Sequence, residues 1–324
     1  MNVKMSMIDK ELRPFGWFIK LFIHTYTESK FRLFNKMTRM FQIGRTDKRL
    51  DCSEQWIERG DGTLLRICIF KSKESNEQAP GVLWMHGGGY GMGTPEQCLK
   101  RAKQLIDAHP CVIVSPDYRL SIHAPFPAAL EDCYTTLLWM KDCAEALGVN
   151  SRQLFIGGDS AGGGLAAALS LYARDKKEVE IAFQMPLYPM LDDRMQTESA
   201  KDNNAPVWNS ASNRNCWKLL LGTAFETDEV SEYAAPARAK DYSNLPPTAT
   251  FVGSLEPFRD ETIQYVENLR NAGVPVDFKV FEGCFHAFDF VNPYSKASKS
   301  AIEFLTSAYL HAVKNYFSGV NYTT

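Results

Sequence analysis

The spacing of apolar side chains changes period several times along the chain, and each change marks an expected element. Phe15, Phe18, Ile19 and Phe22 fall at i, i+3, i+4 and i+7, and Phe34, Met37 and Phe41 continue a similar stripe, so residues 8–41 read as amphipathic helix. The pattern then shifts to short extended runs. Trp56–Arg59 and Leu64–Phe70, joined through the Asp61-Gly62 turn, predict a strand hairpin. Beyond a polar loop, Gly81–Met85 is a short apolar run expected as a strand. From there the two patterns alternate. Strands are expected at Cys111–Ser115, Gln153–Ile156, Ile181–Pro186, Thr248–Val252 and Pro275–Phe281, and helices at Pro127–Leu147, Ala161–Ala173, Arg259–Ala272 and Ser295–Tyr316. Residues 190–235 break the rhythm, being polar with scattered Trp208, Trp217 and a Leu219–Leu221 run.

Short apolar strands separated by helices predict an α/β fold: a mostly parallel sheet with helices on both faces, and an antiparallel N-terminal edge from the hairpin. One domain over 1–324 is expected, with 190–235 as an insertion, because a structureless loop that long is unusual inside a compact domain. The hydrophobic share of 45% and charged share of 23% are those of an ordinary globular protein. A net charge of −2 argues against a nucleic-acid partner held by phosphate contacts. That total hides an asymmetry, since residues 1–50 carry eleven Lys or Arg against four Asp or Glu. The eight cysteines include no CxxC pair and several lie in apolar runs, so they are expected to be reduced and buried in a cytoplasmic protein. Neither they nor the six histidines show metal-ligand spacing, and no metal or other cofactor is expected. The apolar stretch Phe15–Ile23 is interrupted by Lys20, lacks a following cleavage signal and is too short to span a bilayer.

Candidate chemistry centres on Gly158-Asp159-Ser160-Ala161-Gly162, a GxSxG pattern. A chain of this length shows one by chance about once in ten. Here an apolar strand precedes it and an Ala/Leu-rich helix follows, the setting in which a sharp turn lifts a serine hydroxyl out of a sheet. His86-Gly87-Gly88-Gly89 also follows an apolar strand. Acyl transfer needs N–H donors aimed at a developing oxyanion, and Gly88, Gly89 and Ala161 are the candidates. The rival reading, a dinucleotide loop at Gly162-Gly163-Gly164-Leu165-Ala166-Ala167, rests on one weak match midway through the sheet. A serine nucleophile needs a base and an orienting acid. His286 sits just beyond the last expected strand, with His123 its competitor. The loop after Thr248–Val252 offers Glu256, Asp260 and Glu261. Glu256 comes soonest after the strand, and Asp260 reads as a helix-end or ion-pair residue.

Five blocks in order resemble the hormone-sensitive-lipase-like family of bacterial esterases. They are His86–Gly89, Asp117–Leu120 with Pro125–Ala128, Gly158–Gly163, Glu256–Glu261 and Gly283–His286, within about residues 80–316. The resemblance implies an α/β-hydrolase fold and a Ser160–acid–His286 triad, with an oxyanion hole on Gly88, Gly89 and Ala161. It also implies Asp117 and Arg119 as structural supports, and a cap from about residues 1–50 and 190–235. The family usually has aspartate where this chain has Glu256, and Leu120-Ser121-Ile122-His123 departs from the usual run.

The implied function is hydrolysis of a small-molecule acyl ester of short to medium chain length, with an amidase or peptidase using the same triad as one alternative. A non-catalytic receptor of the same fold is the other, although plant gibberellin receptors, which resemble this family, lack the histidine present here as His286. The N-terminal aromatic stripe is expected to pack over the acyl pocket, where Phe18, Phe22, Trp208 and Trp217 would set its depth. Docking of that helix on anionic lipid is the alternative. A homodimer is compatible with the sequence.

Overall fold

A computed structural model describes residues 1–22, 25–73, 78–320 and 322. Eight strands form one sheet: β1 (Leu50–Glu58), β2 (Leu64–Ser72), β3 (Ala79–Met85), β4 (Val112–Pro116), β5 (Val149–Asp159), β6 (Phe183–Leu187), β7 (Thr248–Gly253) and β8 (Val276–Phe281). Their spatial order is β1-β2-β4-β3-β5-β6-β7-β8. β2 runs antiparallel to both β1 and β4, and every other pairing is parallel. The hairpin therefore supplies the antiparallel margin of a parallel sheet. The central strands β3, β4, β6 and β7 are buried at every position, as strands covered on both faces must be. The outer strand β8 instead turns Asp277 and Lys279 to solvent.

Ten α-helices accompany the sheet among the described residues: α1 (Arg13–Phe22), α2 (Glu28–Gln42), α3 (Leu99–Ala108), α4 (Ala128–Asp142), α5 (Ala144–Leu147), α6 (Ala161–Lys176), α7 (Ser210–Leu221), α8 (Arg259–Asn271), α9 (Phe288–Val291) and α10 (Lys296–Asn315). Side-chain alternation divides the core between the two faces. Val82 and Trp84 of β3 join Leu105 of α3 and Tyr309 of α10, whereas Leu83 and Met85 join Leu137 of α4 and Leu165 of α6. Phe155 of β5 anchors the first of these layers, with its ring edge-on to both Phe183 and Tyr309.

Several sequence expectations change. The helix expected over 8–41 is two helices, with Ile23 and His24 outside the described residues. Thr25–Thr27 are not helical; buried Tyr26 donates its N–H to Ser212 Oγ, and Thr27 caps α2 by accepting from the Lys30 N–H. The aromatic stripe also points the other way. Phe15, Phe18 and Phe22 are exposed, and α1 packs through Gly16, which lies against Ile8, Pro206 and Phe285. In α2 the inward residues are Phe31 and Asn35, not Met37 and Phe41. The helix expected over 127–147 divides at Cys143 into α4 and α5. α3 was not anticipated, although Ala102, Leu105 and Ile106 form its buried face. The 190–235 segment contains α7, started by an Asn209 cap.

All eight cysteines are unpaired, six of them buried. Burial pushes the thiols of these six up, to about 12 at Cys68 and Cys111. Because Phe155 is fully enclosed, Phe155→Ala should cost about 3–5 kcal/mol through lost burial and an unfilled cavity. A denaturant titration that shows a change below 1 kcal/mol, about the lower bound for a core truncation, would mean the layer closes over the gap.

Candidate active site

The turn between β5 and α6 holds Ser160 at φ 61° and ψ −117°, a backbone state that costs a residue with a side chain roughly 1–3 kcal/mol. Its surroundings enforce that state. The Ser160 N–H donates to the Leu187 carbonyl at 3.0 Å, and its own carbonyl accepts from Gly164 N at 2.9 Å. The chain reverses so tightly that a Cβ on Gly162 would stand 2.1 Å from the Met85 carbonyl oxygen, so only glycine fits there. The glycine run 162–164 is thus the first turn of α6 pressed against neighbouring backbone.

The structure brings His286 and Glu256 to this serine. His286 Nε2 lies 2.7 Å from Ser160 Oγ, and His286 Nδ1 lies 2.5 Å from Glu256 Oε2. The histidine sits in the loop after β8, with the rings of Tyr188 and Phe258 edge-on to it, each at 5.1 Å. Glu256 is fully buried three residues beyond β7, and its Oε1 accepts from the Gly253 N–H at 2.7 Å. Burial raises the pKa of the Glu256 carboxyl above its ordinary value, even though His286 and the Gly253 N–H pull the other way. Asp260 does not reach the histidine. It stands in the first turn of α8, bonded to Arg259 and to the Ser199 N–H. Burial opposes its ionisation, yet those two bonds hold its pKa below the usual carboxylate value. His123 is exposed in a turn and does not line the cavity that holds Ser160 and His286.

Gly88 and Gly89 border the same space. Gly88 has φ 122°, and a Cβ there would fall 2.0 Å from the Met92 carbonyl oxygen. Among the described residues nothing accepts from the Gly88 or Gly89 N–H. The Ala161 N–H opens α6, where no earlier carbonyl of the helix can take it. The glycine loop is held by His86, whose carbonyl accepts from the Tyr118 hydroxyl at 2.8 Å and whose ring stacks on Tyr118. Burial lowers the His86 pKa, disfavouring the charged form of this supporting ring.

Beneath the turn lies a buried knot that the sequence did not disclose. Asp159 accepts from Arg101 at 2.7 Å, Trp84 Nε1 at 2.8 Å and the Tyr188 hydroxyl at 2.9 Å. Arg101 also reaches Asp289 at 2.8 Å, linking the serine turn to the helix just after His286. Asp159 lies inside the recognised motif, but nothing in local spacing joins Arg101 to Asp289. A second network ties α2 down, with Asp117 bonded to Arg39 and Arg66, and Arg66 bonded to Glu96. Arg119 pairs with Asp132.

A cavity of about 620 Å³ opens above Ser160 and His286. Its walls include Gly88, Gly89, Tyr26, Trp208, Lys100 and Phe290. Of the four aromatics expected to line it, only Trp208 does so. Phe18 and Phe22 face solvent, and Trp217 of α7 is buried in the core instead. The residues around the cavity follow β3, β5, β6 and β8, which places it at the carboxyl edge of the sheet. Among the described residues no helix is long and apolar enough to cross a membrane.

A family model for the alpha/beta hydrolase fold matches residues 82–290, well over half of the chain. The chain belongs to this family. Within it, the chain is 32% identical to esterase LipI of Mycobacterium tuberculosis over 212 residues, which is 65% of this chain and 66% of LipI. It is also 32% identical to an arylesterase of Saccharolobus solfataricus over 216 residues, 64% of this chain and 67% of that protein. The aligned region thus spans just under two thirds of LipI. In three dimensions this α/β-hydrolase is similar to a bacterial heroin esterase with a TM-score of 0.85 at 30% identity, covering 96% of this chain and 99% of the other.

The knot under this hydrolase's serine turn generates a test. Arg101→Met would strand the Asp159 and Asp289 carboxylates in the interior and should cost about 3–5 kcal/mol in urea unfolding. Adding Asp289→Asn should recover part of that loss. An additive double mutant would show that the two groups do not interact.

Proposed function

We propose that the protein is a serine carboxylesterase that cleaves short- to medium-chain acyl esters through an acyl-enzyme. The observation that carries this reading is the continuous line of contacts from Ser160 Oγ through the His286 ring to Glu256, beside N–H groups with no acceptor among the described residues. Esterase relatives add to it.

In this mechanism Ser160 Oγ attacks the ester carbonyl carbon while His286 Nε2 takes its proton. Glu256 accepts from Nδ1–H, fixing the tautomer and countering the charge of the imidazolium. The carbonyl oxygen gains negative charge between the N–H groups of Gly88, Gly89 and Ala161. Collapse of the tetrahedral adduct expels the alkoxide, which takes the proton from Nε2. Water then attacks the acyl-serine by the same proton route, releasing the acid and restoring Ser160. The glutamate stands where the family usually has aspartate, three residues past β7, with its other oxygen held by the Gly253 N–H.

The segments 1–50 and 190–235 act as the cap in this reading, supported by the presence of Tyr26, Gln42 and Arg45 from the first and Trp208 from the second in the cavity wall. The size of that cavity suits a compact acyl chain. A reducing, cytoplasmic setting fits eight unpaired thiols. The receptor alternative gains no support from a histidine already in contact with the serine.

Ser160→Ala should remove turnover and labelling by a fluorophosphonate; undiminished hydrolysis by that variant would end the mechanism. Glu256→Gln should lower kcat by about 10⁴-fold, whereas Asp260→Asn should leave it within a few fold. The opposite ranking would transfer the acid's role to Asp260. Across p-nitrophenyl esters from acetate to palmitate, activity should peak before decanoate, and a later peak would overturn the chain-length assignment. Matched ester and amide substrates should separate in favour of the ester.

A further inference from the structure

Ten of the fifteen large apolar side chains exposed among the described residues lie between positions 15 and 43. On α1 they are Phe15, Trp17, Phe18, Leu21 and Phe22, with Phe22 64% exposed and the Phe18 and Phe22 rings in contact. On α2 they are Leu33, Met37, Met40 and Phe41, spaced i, i+4, i+7 and i+8, so the apolar stripe of this helix faces solvent. Both helices are amphipathic, and both are mounted with their apolar side outward. Monomeric proteins rarely leave large apolar surface exposed without a partner.

The mounting of each helix is specific. α1 is seated by Gly16 against Pro206 and Phe285, beside the loop that carries His286. α2 is seated by Phe31 on Gly91 and by Asn35 on Gly93, beside the glycine loop, and is clamped by the Arg39–Asp117 pair. The two helices therefore flank the cavity mouth, where Tyr26 between them, Gln42 at the end of α2 and Arg45 just after it reach its wall.

Charge decides the partner. Residues 1–50 carry a balance of +7 in a chain whose total is −2. Lys20 and Lys30 donate to the backbone carbonyls of Val3 and Thr25, and Arg45 to the Gln42 side chain. Lys36 on α2 is exposed, and among the described residues none of these four cations has a carboxylate partner. Two copies of this surface brought together would set like charges against each other, which is costly. An anionic lipid surface would neutralise the cations and take up the aromatics.

We propose that α1 and α2 form a landing surface for membranes rich in anionic lipid, which turns the cavity mouth toward the lipid. This surface is independent of the esterase reading, because binding needs no turnover.

The test is flotation of the full chain with vesicles of phosphatidylcholine alone or mixed with phosphatidylglycerol. The anionic vesicles should retain about tenfold more protein at low salt, falling as salt rises. The pairs Phe18→Ser/Phe22→Ser and Met40→Ser/Phe41→Ser should each reduce retention several-fold, and Lys36→Glu should reduce it on anionic vesicles alone. Unchanged melting temperatures would show that these variants fold. Ser160→Ala should float like the wild type, whatever becomes of catalysis. Equal retention on both vesicle types, or none on either, would overturn the proposal. So would a dimer in sedimentation that the serine pairs dissolve while vesicles capture nothing.

Discussion

A serine held at φ 61° between a strand and a helix is the constraint from which the rest of the site follows. That backbone state is unfavourable in itself and survives only because its neighbours over-determine it. The Leu187 carbonyl accepts the serine's N–H, the Gly164 N–H donates to its carbonyl, and Gly162 lets Met85 approach. Asp159, the residue just before, is gripped from three directions by Arg101, Trp84 and Tyr188. The turn is fixed on every side before any substrate arrives.

Burial then gives the charged residues their character. Glu256 is wholly enclosed, and desolvation alone would favour its neutral form, yet it lies against an imidazole nitrogen and a backbone N–H that favour the anion. Arg101 is enclosed as well, with a carboxylate on each side. Such groups contribute little net stability, since the cost of desolvation offsets most of the attraction. What they supply is geometry: the serine turn, α3 and the helix following His286 are joined through one guanidinium.

Much of this arrangement was legible in the chain because it is written locally. An apolar strand, GxSxG and an Ala-rich helix are contiguous in sequence, so the turn at Ser160 could be read from neighbours alone. Glu256 and His286 could be placed because each follows a strand of a parallel sheet, and such strand ends gather at one edge. Arg101 and Asp289 could not, since they meet across 188 positions with no pattern between them. The N-terminal stripe failed for another reason. Periodicity shows that a helix has an apolar side but not which side its tertiary neighbours occupy, and in α1 the docking contact is made by the smallest residue, Gly16. Phe18 and Phe22 therefore face solvent and not the cavity, while Trp208, expected there with them although its segment shows no period, does line it.

The distribution of the thiols has a use that has nothing to do with chemistry at the site. Cys68 lies in the hairpin, Cys98 just ahead of α3, Cys111 before β4, Cys133 in α4, Cys216 in α7 and Cys284 in the histidine loop. Each is enclosed and hard to ionise, so an alkylating reagent reaches it only when its own layer opens. The protein thus carries six internal clocks, one in each structural neighbourhood. The order in which they are alkylated would give the sequence in which the molecule comes apart.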